Sequence, residues 1–173
     1  MVTLAPSILA IKEIHSTFIR QYGVDGYMCE GMVSGCLERA MTYIYDFKPF
    51  PKLFMKAAAV LYSFITFHPF VDGNKRTAFE TTKMFLRLNG YELLTSAEDG
   101  VTFTRAIAER RITDIDKIAT WLQKHSKRKL IYSFSSFIVK AVLISYHRST
   151  KTERDTAPKE ILVLVQAITI FPD

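Results

Sequence analysis

Apolar residues recur at intervals of three and four along most of the first 122 positions, the period of helices that bury one face. From Ser7 to Tyr22 the face is Ile8, Ile11, Ile14, Phe18 and Tyr22, with Ser7 placed to cap the start and Gly23 to stop the end. His15 falls on or beside that face, where a packed helix histidine is the ordinary reading. The glycines of GVDGYMCEG predict a loop, and Met32, Cys36, Leu37, Ala40 and Met41 resume the helical spacing over Met32 to Thr42. Tyr43 to Pro51, YIYDFKPFP, alternates aromatic with polar residues, and Pro49 and Pro51 forbid a continuous helix. That stretch is a short extended segment or hairpin, an edge on which a partner peptide could add as a strand, or an ordinary connecting loop. Lys52 to Phe67 is apolar almost all round and predicts the central, buried helix. Thr77 to Leu88 turns Ala78, Phe79, Met84, Phe85 and Leu88 inward and ends at Asn89-Gly90. Thr95 with Glu98, and Thr113 with Asp116, read as capping boxes for helices over Val101 to Arg110 and Ile115 to Leu122. Six helices with little strand predict an all-α fold.

The pattern breaks at Lys124 to Lys129, KHSKRK, which reads as a solvated helix end or linker. No aromatic interleaving accompanies it, so a nucleic-acid patch is not supported. Tyr132 to Tyr146 is helical by spacing, a polar stretch follows, and ILVLVQAITIF is either a strand or a buried helix. Residues 1–125 therefore read as one helical domain and 126–173 as an extension packed on it.

Length and composition narrow the class. The chain has 173 residues, 49% of them hydrophobic, enough for one domain with its own core. A net charge of +6 favours anionic partners. The start, MVTLAPSILAIKEIH, has no basic and apolar leader pattern, and Ile161 to Phe171 is about half of the ~20 residues that span a bilayer. No membrane segment is expected. Cys29 and Cys36 lack the CxxC spacing of a redox or zinc site, which predicts idle thiols in a reducing compartment, the cytoplasm.

The chemistry concentrates in residues 68–76, HPFVDGNKR, between the apolar helix predicted over Lys52 to Phe67 and the one predicted over Thr77 to Leu88. If a helix begins near Asn74, the free amides of Gly73 to Arg76 and the positive end of the helix dipole make a cradle for phosphate oxygens. Gly73 has no Cβ to crowd an anion, and Lys75 and Arg76 add mobile positive charge. Asp72 is an oxygen ligand suited to Mg²⁺, which typically combines one or two carboxylates with substrate phosphates, so a Mg-nucleotide is the natural ligand. Histidine is the side chain that exchanges a proton near neutrality, making His68 the candidate general base. Phe70 reads as the plug that fixes the loop. No GxxxxGK[ST] or kinase glycine-rich loop occurs, which excludes the ordinary nucleotide folds.

HPFVDGNKR resembles the signature of the Fic/Doc (Fido) family, and GNKRTAF is similar to its death-on-curing branch. The resemblance extends through Ile14-His15, AAAVLYSFITFHPF, FLRLNGYEL and ITDIDKIATWL, over roughly residues 8–125. It implies a compact helical bundle with one small β-hairpin flap before the central helix, which Tyr43, Tyr45 and Phe47 would supply as a target-binding edge. It also implies His68 as general base, Asp72 as Mg²⁺ ligand, and Gly73, Asn74, Lys75, Arg76 and Thr77 as the nucleotide phosphate loop. AMP-transferring Fic proteins carry GNGRxxR, whereas this chain has Lys75 in place of the second glycine and Phe79 in place of the second arginine. In the death-on-curing branch the corresponding lysine goes with transfer of the terminal phosphate to a Ser/Thr hydroxyl of a translation elongation factor. AMP transfer is the alternative, and a non-catalytic module holding nucleotide or acidic peptide is a further one. An inhibitory segment of the form [ST]xxxE[GN] has its nearest match in STKTER, with Glu153 as the acid but Arg154 where glycine or asparagine belongs. Its failure would imply a separate antitoxin chain.

Overall fold

The computed structural model describes residues 3–42, 48–129 and 168–171. Among them α3, Leu53–Phe67, is the element on which the others pack. Ala57, Ala58, Ala59, Val60, Leu61, Ser63, Phe64 and Ile65 are all fully buried, so the helix is covered on nearly every side, as its unbroken apolar composition predicts. Three consecutive alanines let neighbouring backbones approach closely. Against α3 lie α2, Glu30–Met41, α4, Asn74–Leu88, and α6, Ile115–Lys124. The first helix, α1, Ile8–Tyr22, packs on α4, and α5, Ala97–Ala108, touches both α3 and α4. Phe64, Phe70, Phe85, Ile107, Ile118 and Leu122 fill the space between them. The architecture is a mostly helical bundle.

Local chemistry sets the helix ends. The Ser7 hydroxyl accepts the Ala10 N–H at 3.1 Å, and the Gly23 N–H closes on Ile19 O, both at the expected positions. Two other caps fall one residue later than the spacing suggests. Ser96, not Thr95, accepts the Asp99 N–H at 3.0 Å, and Asp114, not Thr113, accepts the Asp116 N–H at 2.8 Å. Each is the last residue in extended conformation before the helical turn, which is where a cap must stand.

Short strands are the larger departure from the expected pattern. β1, Thr3–Pro6, pairs antiparallel with β4, Ile168–Phe171, while β2, Tyr91–Leu93, pairs with β3, Ser126–Arg128. KHSKRK is thus no linker: Lys124 ends α6, and Ser126 to Arg128 form a strand with exposed basic side chains at 127 and 128. The Lys129 ammonium meets the Glu92 carboxylate beside it. Backbone pairing over three residues needs no side-chain alternation, so composition carried no signal of it. Asn89 behaves like a one-residue strand on β1: Leu4 N–H donates to its Oδ1 at 3.1 Å, and its Nδ2 donates to Leu4 O at 2.7 Å and Phe85 O at 2.8 Å. Lys56 Nζ also donates to Thr3 Oγ1, at 3.0 Å, which ties β1 to α3.

Tyr43, Tyr45 and Phe47 of the expected flap, the helix expected over Tyr132 to Tyr146, and Glu153 lie outside the described residues. Residues 48–51 are irregular. Among the described residues no helix is long and apolar enough to cross a membrane.

The two cysteines differ sharply. Cys36 is buried, and desolvation pushes its thiol up to about 12, with Arg39 opposing only in part; Cys29 is exposed. At pH 8 only about 10⁻⁴ of Cys36 is thiolate, and the thiolate is the reactive form. Titration with a disulfide reagent is expected to consume one thiol in the native protein and two in guanidinium. Two fast equivalents in the native state would contradict the packing around Cys36.

Candidate active site

The site is built where the chain leaves α3 and turns back into α4. Phe67 ends α3, and His68 adopts a left-handed conformation, φ 49°, ψ 60°, that stops the helix. Histidine is among the few residues that enter this region with any frequency, and a non-glycine residue held there marks stored strain. Gly73 makes the second left-handed step, φ 74°, before α4 begins at Asn74. Between them Phe70 is fully buried, and Asn74 straps it: Phe70 N–H donates to Asn74 Oδ1 at 3.0 Å and Asn74 Nδ2 donates to Phe70 O at 2.7 Å. The loop after α1 lies alongside. Val71 N–H donates to Gly26 O at 3.0 Å, and Met28 N–H donates to Pro69 O at 2.9 Å, a bridge that pairs Tyr27 with Phe70.

This turn separates the motif into two sets of residues. His68, Asp72, Lys75 and Arg76 are exposed and line one cleft of about 390 Å³, with Phe18 and Ile19 of α1 as its far wall. Asn74 and Thr77 are buried. The first intrahelical bond of α4 runs from Thr77 N–H to Gly73 O at 2.9 Å, which leaves the N–H groups of Asn74, Lys75 and Arg76 ahead of it without helical acceptors. Those three amides and the dipole of a 15-residue helix open toward the exposed set.

Three of the motif residues are engaged by the protein itself. The Gly73 N–H donates to Asp72 Oδ1 at 2.6 Å, so it is engaged within the loop instead of facing an anion. A Cβ on Gly73 would meet Ile19 Cδ1 at 3.1 Å and the His15 ring at 3.5 Å, so positive φ and the approach of α1 both favour glycine here. The Thr77 amide serves Gly73 O, and its fully buried hydroxyl lies 3.2 Å from His15 Nδ1. Asn74 contributes its backbone amide, since its side chain is spent on Phe70.

The α1 residues were hidden in the sequence because a core face and a site wall carry the same apolar signature. Phe18 and Ile19 fit the core spacing and yet border the cleft. His15 is a core residue, 1% exposed, but it is packed beneath the motif and stacked on Phe70 at 3.8 Å. Burial lowers its pKa from the ordinary histidine value, against the opposing fields of Asp25 and Asp72. A second cleft, of about 540 Å³, opens on the other side of Lys75 and Arg76 and shares Phe18 with the first. Phe79, packed against Gly100, forms its floor with Leu93, and Lys83 and Arg105 also line it.

Among the described residues no group of three or more His, Cys, Asp or Glu could hold a metal alone. Asp72 offers a single exposed carboxylate, the donor set of a Mg²⁺ that takes its other ligands from phosphate and water.

The profile of the Fic/DOC family matches residues 7–86. Toxin Doc of Mycolicibacterium smegmatis (strain ATCC 700084 / mc(2)155) is 34% identical over 93 residues, spanning 53% of this chain and 72% of that protein. The chain belongs to the Fic/Doc family. Its similarity lies with the Doc branch, and every residue lining the first cleft, from Phe18 to Arg76, falls inside the matched region. In this Fic/Doc protein the second cleft extends beyond the match, because its α5 wall begins after residue 86.

The strap at Asn74 has a measurable cost when cut. Asn74→Ala leaves the buried N–H and C=O of Phe70 without partners and is expected to lower unfolding free energy by about 1–3 kcal/mol, read by urea denaturation. A loss under about 0.5 kcal/mol would show that the loop holds its shape without it.

Proposed function

We propose that this Fic/Doc protein is a toxin-type transferase that moves the terminal phosphate of Mg-ATP to a Ser or Thr hydroxyl of a protein, with a translation elongation factor as the target class. The observation that carries the reading is the convergence of His68, Asp72, Lys75 and Arg76 on one cleft at the open end of α4. An imidazole nitrogen of His68 takes the proton of the acceptor hydroxyl. The hydroxyl oxygen forms its bond to the terminal phosphorus as the bond from that phosphorus to the bridging oxygen breaks, and ADP leaves with the electron pair. The amides of Asn74, Lys75 and Arg76 and the two side-chain cations oppose the negative charge that spreads over the transferring oxygens. Asp72 would hold Mg²⁺, which when bound neutralises phosphate charge. A positioned base of this kind contributes roughly 10²- to 10⁴-fold in rate.

Two features favour terminal-phosphate transfer over AMP transfer. Lys75 lines both clefts where a glycine would leave open space, and Phe79 supplies an apolar floor where an arginine would hold phosphate. A nucleotide with its terminal phosphate beside His68 and its base toward Phe79 matches polar with polar and apolar with apolar. Control by a separate antitoxin chain accords with the name of the Mycolicibacterium smegmatis relative.

The test is a pair of labelled nucleotides with the purified protein, Mg²⁺ and a bacterial lysate. Label carried from the γ-phosphate to a protein supports the reading. Label carried from the α-phosphate identifies AMP transfer, and binding without either label identifies a non-catalytic module. His68→Asn keeps a residue that tolerates the left-handed conformation while removing the base. It is expected to lower transfer by at least about 10²-fold with a melting temperature close to that of the parent.

A further inference from the structure

We infer that His15, buried outside the solvent-lined cleft, is a positioning residue that holds the phosphate loop from beneath. One imidazole touches that loop at three points. Its ring stacks on Phe70 at 3.8 Å with an interplanar angle of 12°, its Nδ1 lies 3.2 Å from Thr77 Oγ1, and its Cε1 and Nδ1 are 3.5 Å from the point where Gly73 would carry a Cβ. Phe70 is the residue that Asn74 straps, Gly73 is the left-handed hinge, and Thr77 closes the first turn of α4. The three amides that open toward the cleft lie between Gly73 and Thr77. A lever at both ends of that turn sets where they point.

The opposite edge of the ring shows that packing alone does not explain a histidine here. Nε2 is buried and, among the described residues, has no hydrogen-bond partner, and Asp25 Oδ1, at 3.9 Å, is beyond bonding distance. An unsatisfied buried nitrogen is destabilising, so the second nitrogen of this ring adds nothing to the core. Phenylalanine would keep the stack on Phe70 and remove the orphan atom. What it would lose is the Nδ1 bond to Thr77. The histidine therefore pairs that buried hydroxyl while leaving its own second nitrogen unpaired. Thr77 makes the matching choice: Thr82 and Thr104 turn their hydroxyls to helix carbonyls at 2.8 and 2.9 Å, whereas Thr77 offers its own across to α1.

The choice of ligand for the binding readout rests on the proposed Mg-ATP reading, but the loop geometry does not. The experiment compares the parent protein with His15→Phe, His15→Asn and Thr77→Val, measuring hydrogen exchange of the hydrogen-bonded Phe70, Val71 and Thr77 amides, urea stability and Mg-ATP affinity by calorimetry. His15→Phe removes the orphan nitrogen but leaves the buried Thr77 hydroxyl unpaired, so it is expected to keep about the parent's stability, with exchange of the loop amides accelerated on the order of ten-fold and α3 amides unchanged. Mg-ATP affinity falls by a similar factor, because misplaced donors bind less well. Asparagine, which can put a polar atom near the Nδ1 position, restores both to within about three-fold. Thr77→Val reproduces the loss from the other side of the same bond, which keeps the inference testable should either histidine variant fold poorly. Unchanged loop exchange in a folded His15→Phe or Thr77→Val protein overturns it. Should the parent transfer label from the α-phosphate, or none at all, the exchange result still decides the role of His15 while the function reading alone fails.

Discussion

The reversal of the chain between Phe67 and Asn74 is the constraint that the remaining structure serves. A helix buried on nearly all sides cannot drift to the surface gradually, so α3 must stop abruptly and hand the chain to α4 within a few residues. Two left-handed residues, His68 and Gly73, make that possible. Holding histidine there costs on the order of 1 kcal/mol or more. The strap from Asn74 to Phe70 and the bridge from residues 26–28 offset the strain. The same turn leaves His68 at its entry exposed and the open end of α4 at its exit, so the geometry that ends one helix also assembles the site.

Helix α1 joins the core and the site on a single face. Ile11 and Ile19 are buried with the rest of the bundle, yet Ile19 also presses on Gly73, and Phe18 borders both clefts. His15 lies between those functions. Gly23, at the end of the helix, allows the approach of Asp72, since a Cβ there would stand 3.1 Å from Asp72 Oδ2 and 2.5 Å from Ile19 Cδ1. A shift of α1 therefore reaches the carboxylate, the hinge and the first turn of α4 together. In physical terms the cleft is a property of the α1 and α4 contact as much as of the nine residues from His68 to Arg76.

Much of the fold was legible because its signals are local and repeated. The six helices follow from apolar spacing, Ser7 and Gly23 from cap chemistry, and the all-round burial of α3 from its composition. The strands were not, since three or four residues pair through backbone atoms whatever their side chains, and β1 finds its partner more than 160 positions away. Even Asn89, which reads in sequence as part of a helix stop, does more in space by clamping Leu4.

The site divides the same way. Sequence by itself determined which chemistry is present: a histidine, a carboxylate, two cations and a helix start within nine residues, together with the family to which that order belongs. Only the tertiary structure decided which way each group faces. Thr77 and Lys75 are two residues apart in one helix, and that angular step, close to 200°, sends one hydroxyl into the core and one ammonium toward the cleft. Gly73 is explained by Ile19 and His15, more than 50 positions earlier, and no reading of the motif alone contains them. Residue type is written along the chain, whereas burial and distance depend on which distant faces meet.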